Sequence, residues 1–408
     1  MAARKFRAIG RMALGVSAVL CWALASGCGG ENPLGGSISG FPNSSEEAIG
    51  ETSQALTNTW EYTGSMNQGR IVGTATPLPD GSVLVAGGWL AFANLLATAE
   101  RYDPVTSTFS AAGSMQVDRW YHAATALADG SVLVTGGETN GNAYHAAADR
   151  YNPTTNTWSV AAPMNYPRRT HVSILLNDGR VLVAGGDRET ADHSAEIYDP
   201  SLNSWTIVAP MLVGRHYPQG TRLLDGRVLV VGGLSGLATE TAEIYDPATN
   251  LWSMVASMQF PRYTHSVTLL NDGRVLVAGG AATDGYYSIP LHDCAEIYNP
   301  ATDSWSAPIS MNAARETHTA TKLADGRVLL AGGSGLASTE IFDPATNSFT
   351  PAPTMNMTRV NHVAAALSDG SVLVAGGMAG TNNNSDIYII GALASAERIE
   401  SPDVSNLE

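Results

Sequence analysis

The sequence predicts an all-β fold in which seven similar units close into a ring. The first observation is a phrase that recurs with small changes along most of the 408 residues, clearest as Asn271-Asp-Gly-Arg-Val-Leu-Val-Ala-Gly-Gly280. Its copies end in Gly87-Gly88, Gly136-Gly137, Gly185-Gly186, Gly232-Gly233, Gly279-Gly280, Gly332-Gly333 and Gly376-Gly377, at successive spacings of 49, 49, 47, 47, 53 and 44 residues. The second is that Val, Thr, Tyr and Trp fall in short runs bounded by Asp-Gly or Pro, without helix periodicity. The third is that further landmarks follow each Gly-Gly at a fixed phase. A period near fifty with a terminal Gly-Gly is the mark of a β-propeller, here with seven blades.

One unit reads clearly from His265. His265-Ser-Val-Thr-Leu-Leu270 is a strand and Asn271-Asp-Gly273 a tight turn, because Gly takes positive φ without penalty. Arg274-Val-Leu-Val-Ala278 is a second strand, ended by Gly279-Gly280 and a variable loop. Ala295-Glu-Ile-Tyr-Asn-Pro300 is the third strand and its stop. After the turn Ala301-Thr-Asp-Ser304, Trp305-Ser-Ala-Pro308 is the fourth. Four short antiparallel strands per period make one blade.

The other landmarks are Tyr102-Asp-Pro, Tyr151-Asn-Pro, Tyr198-Asp-Pro, Tyr245-Asp-Pro, Tyr298-Asn-Pro and Phe342-Asp-Pro on third strands. Fourth strands carry Trp60, Phe109, Trp158, Trp205, Trp252, Trp305 and Phe349. Gly-Gly, then Tyr-Asp-Pro, then Asn-x-Trp resembles the kelch repeat, over nearly all of residues 58–400. The aromatics read as core between blades, since a binding site has no need of one copy per blade.

The ends are expected to interlock. The first repeat-like feature is a lone fourth strand, Thr59–Met66, whereas the last unit, from His362, has a degenerate third strand at Ala396–Pro402 and no fourth. The N-terminal strand should complete the C-terminal blade, so that no sheet edge is left open. The organisation is then 58–402 propeller and 403–408 tail.

Residues 1–27 read as an export signal: Arg4, Lys5, Arg7 and Arg11, then the apolar run Met12–Leu24, too short to span a bilayer. Ala25-Ser-Gly27 before Cys28 resembles a bacterial lipobox, with Leu24 four residues before the Cys where the family places it three before. The resemblance implies cleavage before Cys28 and lipidation of it; plain cleavage after Ala25 or Gly27 is the alternative. Residues 28–57 are rich in Gly, Ser, Asn and Glu and read as a tether holding the domain off a membrane. The protein is expected at the outer membrane or cell surface, or otherwise periplasmic or secreted.

The net charge is -15, and loss of residues 1–27 takes it to about -19. No basic stripe exists to meet phosphate, so nucleic acid is not expected as a partner. Met-x-x-x-Arg opens every unit, at Arg70, Arg119, Arg168, Arg215, Arg262, Arg315 and Arg359. Acids precede the Tyr motif at Glu100, Asp149, Glu196, Glu243, Glu296, Glu340 and Glu397. Repeated at one phase, they read as structural ion pairs. Three residues after five of the Arg stand His122, His171, His265, His318 and His362, with Gly73 and Pro218 in the other two units. A metal needs ligands converging on one point, so histidines spread around a ring read as packed, hydrogen-bonded residues. No cofactor or metal is expected.

An enzyme reading comes from resemblance. Galactose-oxidase-like copper radical oxidases are seven-bladed propellers of this kind, with an Arg-x-Tyr-His element among their copper ligands. Arg119-Trp-Tyr-His122 matches it, and Tyr217 holds the Tyr position in another unit. The family also needs a Cys cross-linked to a ligand Tyr. The corresponding stretch Arg70-Ile-Val-Gly-Thr-Ala75 has none, and Cys294 at a third-strand start reads as a small buried residue. No G-x-S-x-G, H-E-x-x-H or P-loop occurs.

The expectation is therefore a non-catalytic, monomeric, surface-displayed propeller that binds a protein or glycan. The Asp-Gly and Pro-x-Thr-Asn turns share one face and barely vary, while the loops after Gly-Gly and the Met-to-His connections share the other and diverge. The candidate binding residues are Trp89, Phe92, Tyr121, Tyr286, Tyr287 and Tyr388 on that variable face, with Trp89 and Phe92 extending a patch from blades five and seven.

Overall fold

The computed structural model describes residues 59–90, 94–139, 143–187, 193–282, 291–379 and 393–400. It is a ring of seven antiparallel sheets, and no helix occurs among the described residues. The segments expected to be a signal and a tether, with Cys28, lie outside the described residues, as do Phe92, Tyr286, Tyr287, Tyr388 and residues 401–408.

Each blade runs outward from the axis in strand order. Blade one is Thr74–Pro77, Val83–Ala86, Thr98–Asp103 and Thr108–Ser114. Blades two to six begin with Ala123–Ala126, Val172–Leu175, Gln219–Arg222, Ser266–Leu269 and Thr319–Lys322, and blade seven with Val363–Ala366. These first strands touch one another in sequence around the axis, blade seven's meeting blade one's. In blade five the outer strand is broken into Ser304–Trp305 and Ile309–Ser310, where one continuous strand from Trp305 was expected. Ser306 lies at the break, and its hydroxyl takes the Ile297 backbone N–H at 3.0 Å.

The Val-Leu-Val strands are buried on both faces because each sheet is sandwiched between two others. Val181 and Val183 of blade three pack with Leu133 and Ala148 of blade two. The alternate residues Leu182 and Ala184 pack with Val228 and Val230 of blade four. A strand's period of two thus feeds two cores at once, and the usual polar alternation is lost. The aromatics lie between blades as expected: Trp158 stacks on Tyr151 at 5.2 Å and donates its indole N–H to the blade-one carbonyl of Ala112 at 2.7 Å.

The ring closes through the N-terminus. Trp60–Tyr62 pairs antiparallel with Ala396–Ile399, Trp60 opposite Ile399, as the fourth strand of blade seven. It is shorter than the expected Thr59–Met66. The Trp60 indole donates to Pro353 O of blade six at 2.8 Å.

The seven Arg and seven acids are buried ion pairs within each blade, such as Arg262–Glu296 at 2.8 Å and Arg359–Glu397 at 2.9 Å. Each Arg is held at three further points. Arg262 donates to Gly279 O at 2.7 Å and Cys294 O at 3.1 Å, and its own carbonyl accepts from Gly233 N–H of the preceding blade at 2.9 Å. The acid accepts from backbone too, as Glu296 does from Gln259 N–H at 2.6 Å. The bonds to both terminal guanidinium nitrogens and to both carboxylate oxygens offset the desolvation of the charges, although Nε of Arg70, Arg119 and Arg262 has no hydrogen-bond partner. Cys294 is buried as expected, beside Arg262, and is disulfide-bonded.

Candidate binding site

The strand order puts the Asp-Gly and Pro-x-Thr-Asn turns at one end of every blade, and the post-Gly-Gly loops with the Arg-to-His connections at the other. At that second end a cavity of about 440 Å³ opens on the ring axis. Its rim is one residue from each blade: Val72, Tyr121, Thr170, Tyr217, Thr264, Thr317 and Asn361. All seven have φ between 50° and 55°, the left-handed region that bulky and β-branched residues avoid at about 1–2 kcal/mol each. The twist turns backbone N–H groups along the rim: Thr170 N–H donates to Tyr121 O at 2.9 Å, Thr317 to Thr264 O at 3.1 Å and Val72 to Asn361 O at 3.0 Å.

Below the rim stand the histidines. His122, His318 and His362 are pushed down to about 3 by burial, with a neighbouring Arg adding to it, and His171 and His265 lie well below 6.5 for the same reasons. They are neutral at pH 7. Four of the Nε2 atoms reach hydroxyls of the preceding blade: His122 to Thr74 at 3.1 Å, His171 to Thr135 at 2.9 Å, His318 to Ser266 at 2.9 Å and His362 to Thr319 at 3.0 Å. Among the described residues no three His, Cys, Asp or Glu are grouped to hold a metal.

An arc of half-buried aromatic rings follows the rim. Trp89 lies 5.8 Å from Trp120, Trp120 4.5 Å from Tyr121, Tyr121 5.7 Å edge-on to Tyr217, and Tyr217 6.3 Å from Tyr263. Trp89 thus packs beside blade two, and the loop residues of blades five and seven that it was expected to join lie outside the described residues. Burial raises the phenol of Tyr121, and burial together with Tyr121 raises that of Tyr217, so both stay protonated. Arg169 sits over Tyr121 and Tyr144 at 5.8 and 4.8 Å, ion-paired to Asp187 at 2.8 Å and to Glu138. Tyr144 donates to Asp187 at 3.0 Å, and Thr264 to Glu316 at 3.0 Å. Of the expected binding residues, Trp89 and Tyr121 fall in this arc. Trp120, Tyr217, Tyr263 and Arg169 were not singled out as binders, because their approach depends on how far each connection is rolled about the rim.

The kelch motif matches residues 71–116, 119–165, 168–212 and 215–259. The chain is a seven-bladed propeller with kelch repeats. No curated protein sequence matches it. Among solved structures, a fungal alcohol oxidase of the AA5 family in complex with copper is similar, with a TM-score of 0.67 and 19% identity over 84% of this chain and 76% of the other. At that identity the likeness concerns the kelch propeller fold alone.

Proposed function

We propose that this propeller is a non-catalytic receptor for a glycan, held on a cell surface through a lipid on Cys28. The observation that carries the reading is the arc Trp89–Trp120–Tyr121–Tyr217–Tyr263 at the mouth of the axial cavity. Sugar rings present an apolar face and a rim of hydroxyls. Aromatic rings meet the first, and Arg169, Asp187, Tyr144 and Glu316 are placed to meet the second. A protein partner fits less well, because the site is concave and narrow. The test is a glycan array followed by calorimetry: Trp120→Ala should lower affinity at least 10-fold with melting intact, whereas unchanged binding sinks the reading.

A copper oxidase is the second reading, favoured by Tyr121, His122 and Tyr217 lining one cavity. The donors do not fit copper. His122 Nε2 is taken up by Thr74, both phenols are held protonated, and Cys294 lies with Arg262 in blade five. Metal analysis and an alcohol-oxidation assay separate the two: tightly held copper with turnover would favour the oxidase.

A further inference from the structure

The rule that pairs each ring histidine with a hydroxyl is obeyed everywhere but once. The hydroxyl stands on the first residue of the preceding blade's first strand: Thr74 for His122, Ser266 for His318 and Thr319 for His362. Before the two units that lack His, at Pro218 and Gly73, that residue is Val172 or Val363, and no hydroxyl is needed. In blade two it is Ala123, but the residue directly across the ladder is Thr135, which supplies the hydroxyl to His171 instead. The corresponding pair in blade four is Gln219 and Val231, and His265, which follows it, has no partner on either ring nitrogen. His265 is only 4% exposed, and it lines the axial cavity together with Gln219, Tyr217 and Thr264.

A buried imidazole without partners is a cost that native proteins seldom leave standing. The chain moved a hydroxyl across the ladder to avoid it in blade two, yet left the gap in blade four. We propose that His265 and Gln219 form a subsite for one hydroxyl of a neutral sugar inserted into the axial cavity. A neutral imidazole offers one N–H and one lone pair, and a hydroxyl supplies the complement of both. The Gln219 amide adds a donor and an acceptor beside it. Anionic sugars are disfavoured, since Arg169, the cation over the rim residue Tyr121 and over Tyr144, is already shared between Glu138 and Asp187. This deepens the glycan reading and rests on it.

The test uses the propeller with 15N-labelled histidine, titrated with glucose, galactose, mannose and N-acetylglucosamine, alongside calorimetry. At least one sugar should shift the His265 ring-nitrogen signals and leave those of His318 in place. Gln219→Ser restores the missing hydroxyl at the position from which Ser266 serves His318. It should raise the melting temperature and lower sugar affinity at least 10-fold. Thr135→Ala, which orphans His171 from outside the cavity lining, should lower melting and leave affinity unchanged. Sugar binding with an unmoved His265 and full affinity in Gln219→Ser overturns this subsite while the aromatic arc stands. No binding by any of the four overturns both.

Discussion

The ring of His171 packs against the α-carbon of Gly136 so closely that a Cβ there would lie 2.7 Å from Cε1 and 2.3 Å from Arg168 O. The same approach joins His122 to Gly87, His265 to Gly232, His318 to Gly279 and His362 to Gly332. The first Gly of each pair is therefore a seat for the next blade.

Gly136→Ala should cost at least about 3 kcal/mol, from a strained positive φ and a contact with backbone that cannot withdraw. Gly236→Ala is the control: its φ is also positive, at 82°, but nothing lies within 4 Å of the added Cβ. It should cost about 1 kcal/mol. Equal losses in urea unfolding would show that the seat does not matter.

Stability should fall in mild acid. The five ring histidines have folded-state values far below the unfolded value near 6.5. In that case the unfolded chain binds protons first. Stability is complete above about pH 6.5 and is lost as pH falls toward 3, by about 1.4 kcal/mol per pH unit for each histidine. Urea midpoints from pH 8 to 4 check this, and a His318→Gln variant should show a shallower slope. A flat profile between pH 7 and 5 would contradict it.

Closure makes a second stability prediction. Deleting residues 29–57 should leave melting unchanged, while deleting residues 29–66 removes Trp60–Tyr62 and its bonds to blades six and seven. The longer deletion should destabilise strongly, by several kcal/mol. Matched melting curves for the two would argue against a ring held by that strand.

Processing is checked by counting thiols. The chain has three cysteines, and Cys294 can pair within it only with Cys21 or Cys28. Once residues 1–27 are removed, a disulfide at Cys294 and a lipid on the Cys28 sulfur exclude each other, so the thiol count distinguishes them. The denatured mature protein should show one thiol and a lipidated N-terminus, and Cys28→Ser should release it from membranes. A mature N-terminus at Ser26 without lipid would remove the anchor.

The ring was legible in the sequence because its determinants are residue types at fixed phase: Gly-Gly where a neighbour presses, Arg and Glu as buried partners, Trp as the bolt between blades. The rim was not. Left-handed φ at Val72, Thr170 and Thr264 has no signature in their side chains, since the ring closure imposes it. Nor was the hydroxyl rule, because Thr135 can replace Ala123 only once the two are known to face across a ladder. The long loops holding Tyr286, Tyr287 and Tyr388 drew attention by composition, whereas the described aromatic surface gathers at short connections.

The central claim is that the cavity end of the ring is the binding face. Calorimetry with the tightest-binding sugar should compare Tyr217→Ala, at the rim, with Arg180→Ala, at an Asp-Gly turn on the opposite face. The account predicts at least a 10-fold loss for Tyr217→Ala with melting intact, and wild-type affinity for Arg180→Ala. Full affinity in Tyr217→Ala together with loss in Arg180→Ala would contradict it.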